Sequence, residues 1–294
     1  MPNPAAKGGL SVSEDQWSRW LLSERYAGSS AAEIAAAGQL IDEIRVRLMQ
    51  LSGLGPGQVV LELGCGGGEF LPQLLQTVGP TGSVIALDVS RPLLERAASA
   101  MAGHPLHQRL AFVQGDMSHL PVPAGRIDAL VARSVLQYAE GQLPAVAAEI
   151  ARVLRPGGRL AAFELLHGEG EPSLPPGRRT GLGQARRRWH NLPYALTLRQ
   201  LRGAFAATDF CPFRIDAGLG FWREPAEAED YIRSLDVLPR PGCPPLATVL
   251  GEPDVLRAAV QRAGCVEEQG AWCYISGTRT NLRNRKPPGG VYTH

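Results

Sequence analysis

Two acidic residues close apolar runs in this sequence, and each stands where a ligand could be bound. Glu62 ends the run that starts at Val59, and Asp88 ends the run that starts at Ser83. A carboxylate at the end of a buried strand is costly unless it is paired, so both residues are candidates for ligand binding. Asp88 comes about twenty residues after the glycine-containing segment that follows Glu62. At this spacing a carboxylate can accept hydrogen bonds from both hydroxyls of a ribose. These residues therefore predict recognition of a nucleoside.

Glycines at positions 64, 66 and 68 follow Glu62, and their spacing limits which kinds of nucleoside ligand could bind. Glycine permits positive φ and lets a ligand come close to the backbone. A P-loop requires Lys and Ser or Thr after its last glycine, whereas Glu69 follows Gly68 here. A dinucleotide loop requires its last glycine one place later, and the Glu69 carboxylate would repel a pyrophosphate. The loop therefore favours a ligand with a cationic amino acid group and no phosphate.

The elements that must position these residues alternate along the chain, which predicts a parallel sheet with helices on both faces. Strands are expected near residues 58–63, 83–88, 110–114, 127–132 and 159–165, with a sixth at 213–217 and a last at 271–278. The helical spacing of Trp17, Trp20 and Leu21, and of the apolar residues from Leu40 to Leu51, predicts two helices before the first strand. Further helices are expected from Glu69, at 143–154 and 198–207, and near 225–235 and 253–263.

Five ordered segments together resemble the motifs of the class I S-adenosylmethionine (SAM)-dependent methyltransferases of the small-molecule type. They are Glu62–Gly68, Asp88–Ser90, Phe112–Met117, Asp128–Tyr138 and Leu154–Gly158, within roughly residues 50 to 166. The resemblance implies an α/β, doubly wound, mostly parallel seven-stranded sheet with helices on both faces, an antiparallel last strand and an N-terminal helical lid. It implies SAM as the cofactor.

The resemblance also assigns cofactor-binding roles to particular residues. Glu62 would interact with the SAM amino group, Asp88 with the ribose, Asp116 with the adenine amino group and Arg133 with the methionine carboxylate. The full implied set is Glu62, Gly64, Cys65, Gly66, Gly68, Asp88, Val89, Asp116, Met117 and Arg133. Structural alternatives stay open for the side chains of this set: a solvated acid at a strand end, turn-capping aspartates, a core methionine and a structural salt bridge for the arginine.

Methyl transfer requires the protein mainly to align the acceptor and exclude water, with a general base only for an acceptor whose proton has a high pKa. His167 follows the fifth predicted strand and is the best candidate for a catalytic base. His190 and Tyr194 are weaker candidates. Trp17 and Tyr26 either line the pocket or pack within the lid. No residue pattern predicts a metal site.

Composition limits the classes of protein that the chain can represent. The formal net charge of +2 over 294 residues argues against a dedicated nucleic-acid binder, and the arginines between positions 178 and 188 are interpreted as a solvated loop. No apolar run approaches the roughly 20 residues that span a bilayer. The five cysteines contain no Cys-x-x-Cys pair. A cytoplasmic location with no membrane partner is therefore expected, and formation of a homo-oligomer is left open.

The predicted organisation has five parts: disordered residues 1–10, a helical lid at 11–52, a SAM-binding core at 53–166, a substrate-side insertion with sheet completion at 167–282, and a flexible tail at 283–294. The predicted function is methyl transfer from SAM to an oxygen, nitrogen or carbon atom of a small molecule, of the kind found in specialised metabolism. A SAM-binding cyclase, or an RNA or protein methyltransferase on the same fold, is the alternative.

Overall fold

The computed structural model describes residues 15–25, 31–139, 141–166, 171–173, 196–221, 226–227 and 265–280, together with residues 248, 254, 257, 258 and 261. The strands are β1 (Val59–Leu63), β2 (Ser83–Asp88), β3 (Leu110–Gln114), β4 (Ile127–Arg133), β5 (Leu154–Leu165), β6 (Glu171–Ser173), β7 (Phe210–Phe221), β8 (Ala226–Glu227) and β9 (Cys265–Arg279). The helices are α1 (Gln16–Arg19), which continues as a π-helix over Trp20–Glu24, α2 (Ala31–Ser52), α3 (Leu71–Val78), α4 (Arg91–Met101), α5 (Leu143–Val153) and α6 (Leu198–Phe205).

The sheet confirms the predicted doubly wound architecture. Strands β1 to β5 are parallel in the spatial order β3-β2-β1-β4-β5, and β9 pairs antiparallel with β5. Strand β7 pairs antiparallel with β9 as well, as do the short strands β6 and β8. The direction of winding reverses between β1 and β4, and open α/β sheets bind ligands at the carboxyl ends of the strands at such a point.

The apolar periodicity of the helices explains how they cover the sheet. In α3 the residues Leu71, Leu74, Leu75 and Val78 occupy one helical face and are fully buried. In α4 the Oγ of Ser90 caps the helix by accepting the Leu93 N–H at 3.3 Å. Helices α2, α3 and α4 contribute to the core on one side of the sheet, and α5 and α6 contribute to the core on the other.

Several boundaries differ from the predictions. Helix α3 begins at Leu71 and not at Glu69. Strand β5 begins at Leu154 and not near residue 159, because residues 155–158 form a bulge in the strand, where the register to β4 jumps between Leu154 and Arg159. Strands β7 and β9 extend well beyond their predicted limits, because they pair with each other from Phe210 to Phe221 and satisfy each other's backbone groups.

The helix predicted near 225–235 is wrong at its start, since Ala226 and Glu227 form strand β8 beside β9. Residues 254, 257, 258 and 261 are helical, as predicted. The five-part division of the chain stays a prediction. Within the described ranges, no helix has both the length and the apolar character needed to cross a membrane.

Candidate functional site

The glycine loop after β1 is attached by its backbone to the end of β2. The N–H groups of Gly64 and Cys65 both donate to the Leu87 carbonyl, at 2.8 and 3.0 Å. The Gly66 N–H donates to Asp88 Oδ2 at 2.9 Å. Burial raises the pKa of the Cys65 thiol, which argues against a thiolate nucleophile in this loop. The loop and Asp88 therefore form one backbone-connected unit at the carboxyl end of the sheet.

Two glycines of the loop are required by close packing as well as by conformation. Gly64 has φ of 70°, and a Cβ on it would overlap Val135 Cγ2 in the segment after β4. Gly68 has φ of 85°, and its Cβ would lie 2.8 Å from the Ala97 Cβ of α4. Side chains at these positions would be strained and would push apart the elements that form the crevice.

Glu62 is buried at the base of the loop, and its charge is only partly compensated. Burial raises its pKa to about 8, with smaller increases from Glu69 and Asp88. The positive charges of Arg133 and Arg45 lower that pKa again. Among the described residues, Glu62 Oε2 has no hydrogen-bond partner although it is inaccessible to solvent. A buried acceptor without a partner carries a desolvation cost that a cationic ligand could offset.

Arg45 is a residue that the sequence interpretation missed. It lies on α2, where its guanidinium bonds Asp42 at 2.9 Å and lies 5.8 Å from the centre of the Phe70 ring. Its buried Nε has no hydrogen-bond partner within the described part of the chain. The sequence contained a signal for it, because Arg45 falls between Ile41 and Leu48 on the apolar face of the helical pattern.

Asp88 uses both carboxylate oxygens to organise backbone. Oδ2 accepts the Gly66 N–H and Oδ1 accepts the Ser90 N–H, each at 2.9 Å. Burial raises the Asp88 pKa, and these N–H groups oppose that rise. Each oxygen still has a second lone pair available to a further donor. Val89, next in the chain, is 47% exposed at the same end of the sheet.

Asp116 and Met117 stand in the turn after β3. Asp116 Oδ1 accepts both the backbone N–H and the hydroxyl of Ser118 at 2.7 Å, and these bonds lower the Asp116 pKa. Asp116 is exposed, whereas Met117 is half-buried and packs against the core. Asp116 therefore forms the turn and Met117 packs in the core, as the structural alternatives for these residues expect. Neither contact uses the second carboxylate oxygen of Asp116.

The N-terminal helix lies against the crevice. Asp15 caps α1 through Oδ1, which accepts the Trp17 N–H at 2.9 Å, while Oδ2 accepts a hydrogen bond from the Ser90 hydroxyl. Leu21 Cδ2 lies 3.2 Å from where a Cβ on Gly66 would be. The helix is thus connected to the turn after β2 and covers the glycine loop.

Three aromatic rings close the neighbouring part of the crevice mouth. The Tyr138 ring, just after β4, lies 4.9 Å from the Trp17 ring and 6.1 Å from the Trp20 ring, both edge-to-face. Burial raises the pKa of Tyr138 to about 12, so its hydroxyl stays protonated at neutral pH. Trp17 therefore both packs within the N-terminal helix and covers the end of β4.

Several predicted residues lie outside the described residues. They include His167, the candidate base, as well as Tyr26, His190, Tyr194 and the arginines at 178–188. Within the described ranges, no group of His, Cys, Asp and Glu is arranged to hold a metal ion.

Comparison with known proteins relates this region to one family. Residues 60–158 match the model of the methyltransferase domain family. Demethylmenaquinone methyltransferase of Lactococcus lactis is 36% identical over 131 residues, which is 45% of this chain and 50% of that protein. Nocamycin O-methyltransferase of Saccharothrix syringae is 38% identical over 114 residues, or 39% of this chain and 40% of that protein. The matches therefore span half or less of these relatives.

A solved structure extends the similarity in fold beyond the matched segment. The structure of geranyl diphosphate methyltransferase in complex with SAM superimposes with a TM-score of 0.50 at 16% sequence identity. The alignment covers 81% of this chain and 85% of that one. At this identity the similarity concerns the fold.

Proposed function

The chain carries a class I SAM-dependent methyltransferase domain, and on that premise we propose that the protein transfers a methyl group from SAM to a small-molecule acceptor. The acceptor atom is oxygen, nitrogen or carbon. A cytoplasmic location is part of the same proposal. The similar proteins include one named as an O-methyltransferase and one named for demethylmenaquinone, which is consistent with a small organic acceptor.

The observation that carries the proposal is a buried acceptor atom and a buried donor atom beside the glycine loop, each without a hydrogen-bond partner among the described residues. Glu62 Oε2 is a buried acceptor without a partner, and Arg45 Nε is a buried donor without a partner among the described residues. Both Arg45 and Arg133 are close enough to lower the pKa of Glu62. A bound zwitterion would give its ammonium group to Glu62 and its carboxylate to an arginine, which is the pattern of the methionine part of SAM.

The nucleoside part of SAM fits the remaining residues. Asp88, which is tied to the glycine loop through the Gly66 N–H, would accept the ribose hydroxyls with its remaining lone pairs. Val89 would lie against the adenine, with Met117 on its other side and Asp116 at its amino group. Cys65 would contribute backbone only, because its thiol is buried.

When bound, SAM supplies a methyl group already activated by a positively charged sulfur. The residues of the chain would orient the cofactor through Glu62 and Asp88 and exclude water with Leu21, Trp17 and Tyr138. Tyr138 would act as a neutral hydroxyl and not as a base, because its pKa is about 12. His167 is proposed as the base where the acceptor must lose a proton.

Calorimetry tests the proposed cofactor. Titration with SAM and S-adenosylhomocysteine should give binding, whereas NAD should give none; binding of NAD without SAM would refute the proposal. Incubation with methyl-labelled SAM and a metabolite extract should transfer label to a small molecule. Label that appears only in RNA or protein would favour the macromolecular alternative, and conversion of an extract component with no transfer of label would favour a cyclase.

A further inference from the structure

A second buried carboxylate, Glu164, lies at the end of β5 outside the set of cofactor-binding residues. Its side chain is fully buried. Oε1 accepts the N–H groups of Val135 and Leu136 at 2.9 and 2.8 Å, and Oε2 accepts that of Gln137 at 3.4 Å. Three consecutive amides after β4 therefore converge on one carboxylate of the neighbouring strand, where water could not replace it.

The segment that Glu164 binds has an unusual conformation. Ser134 has φ of 53°, the one positive value among described residues other than glycine. The Ser134 N–H donates to the Phe163 carbonyl at 2.8 Å, which continues the pairing of β4 with β5 for one more residue. The chain then turns sharply, and the three amides after Ser134 point at Glu164. A non-glycine residue at positive φ persists only where its surroundings fix it, and Glu164 supplies the fixing contacts.

The same segment forms two walls of the crevice. Val135 occupies the space that a Cβ on Gly64 would need, so the turn packs directly on the glycine loop. Tyr138, at the other end of the turn, packs edge-to-face on Trp17 of the N-terminal helix. Displacement of the turn would therefore alter both the conformation of the loop and the packing of that helix.

We propose that Glu164, in its ionised form, is a positioning residue that sets the affinity of the crevice for the cofactor by holding residues 134–138 between the glycine loop and the N-terminal helix. The proposal rests on the proposed function, because the affinity in question is for SAM. Glu164 acts through the turn and is not required to touch the cofactor.

The negative charge of Glu164 is what allows its side chain to accept all three backbone N–H groups. An ionised carboxylate only accepts hydrogen bonds, so it can serve three amides. A protonated carboxyl turns an O–H donor toward these backbone N–H groups, and a glutamine amide turns an NH2 group toward them, so each loses accepting capacity. Burial raises the Glu164 pKa to about 7, while the three amides and Arg133 oppose the rise. The other titratable groups that couple to it are Tyr138 and Cys273, and burial keeps both neutral at this pH.

Glu164→Gln tests the proposal with a nearly isosteric change. S-adenosylhomocysteine affinity is measured by calorimetry for wild type and variant at about pH 6 and about pH 8, either side of the Glu164 pKa. At the higher pH the variant should bind about five- to tenfold more weakly, the loss expected for one or two hydrogen bonds. At the lower pH the two proteins should bind nearly equally, because wild-type Glu164 is then largely protonated. Glu62 titrates in both proteins, so its effect cancels in the ratio.

Amide hydrogen exchange supplies a second measurement that does not depend on the cofactor. The amides of Val135 and Leu136 should exchange faster in Glu164→Gln than in wild type, and those of β2 should not. Glu95→Gln is the matched control, because Glu95 lies exposed on α4 beside Arg91 and should change neither measurement.

The outcomes separate this inference from the proposed function. Wild type that does not bind S-adenosylhomocysteine refutes the proposed function. Wild type that binds, with a variant that is folded and equal to it at both pH values, refutes the role of Glu164. A variant weakened by the same factor at both pH values also refutes it, because the loss would then be structural and independent of charge.

Discussion

The backbone N–H of Gly66 donates to Asp88 Oδ2 at 2.9 Å, which ties the middle of the glycine loop to the end of β2. One carboxylate therefore shapes the loop, and under the proposed function the same carboxylate would bind the ribose hydroxyls. Asp88 also holds the Ser90 N–H, so it fixes the turn that carries Val89. Removal of this side chain would disturb both the glycine loop and the turn after β2.

Asp88→Ala should weaken SAM binding by about 1–3 kcal/mol, the cost of leaving buried polar groups without a partner. The measurement is calorimetry with SAM. Asp216→Ala is the control, since Asp216 is an exposed aspartate on β7 away from the crevice. Unchanged affinity in Asp88→Ala would remove Asp88 from the site.

Arg45→Gln should weaken binding of S-adenosylhomocysteine by about 1–3 kcal/mol, because a charged hydrogen bond to the ligand carboxylate would be lost. Adenosine lacks the amino acid part, so its affinity should not change. Both ligands are titrated by calorimetry. Arg47→Gln, an exposed arginine on the same helix, should leave both affinities as in wild type. An equal loss for both ligands would show that Arg45 supports the fold and does not bind the carboxylate.

Glu62→Gln should stabilise the protein without cofactor while weakening SAM binding. The Glu62 pKa is about 8 in the folded chain and about 4.5 when unfolded, so the folded state binds more protons between these values. The free energy of unfolding therefore falls as pH rises through this window, and the variant escapes that loss. At about pH 8 the gain should be on the order of a few kcal/mol, because each pH unit between the two pKa values costs the wild type up to about 1.4 kcal/mol.

Thermal denaturation of wild type and Glu62→Gln between about pH 5 and about pH 8 measures this effect. The difference in Tm should grow with pH, and the Glu164 contribution is common to both proteins. A Tm difference that is the same at every pH would contradict the raised pKa of Glu62 in the folded protein.

Gly64→Ala should lower the free energy of unfolding more than Gly125→Ala. Both glycines have positive φ, 70° and 67°, but only the Cβ at 64 would meet another side chain, Val135. The overlap should add about 1–3 kcal/mol to the conformational cost that the two substitutions share. Denaturant unfolding compares the variants, and equal losses would contradict the close packing of the turn on the loop.

Local sequence patterns were sufficient for the central elements. The apolar runs near 59–63 and 83–88 became strands at those positions, because a buried parallel strand must be apolar on both faces. Prediction failed where pairing at a distance decided the outcome. Ala226 and Glu227 form a strand because β9 offers them a partner, and nothing in their own sequence indicates that partner.

The residues of the candidate site also separate into those that the local sequence indicates and those that depend on distant parts of the chain. Glu62 was found because a carboxylate closes an apolar run, and the same rule applied to Glu164 would have marked it as well. Ser134 and Tyr138 gave no local signal of their roles, because those roles depend on β5 and on the N-terminal helix.

The sequence by itself determined which residues form the glycine loop and its acidic neighbours, since the glycines at 64, 66 and 68 and the acids at 62 and 88 are recognised from spacing and residue type. Only the tertiary structure decided which charges and walls surround that crevice. It placed Arg45 beside Glu62, Val135 against Gly64 and Glu164 beneath the turn after β4. The physical reason is that burial and electrostatic coupling depend on distance in space, which residues far apart in the chain acquire only when the sheet assembles.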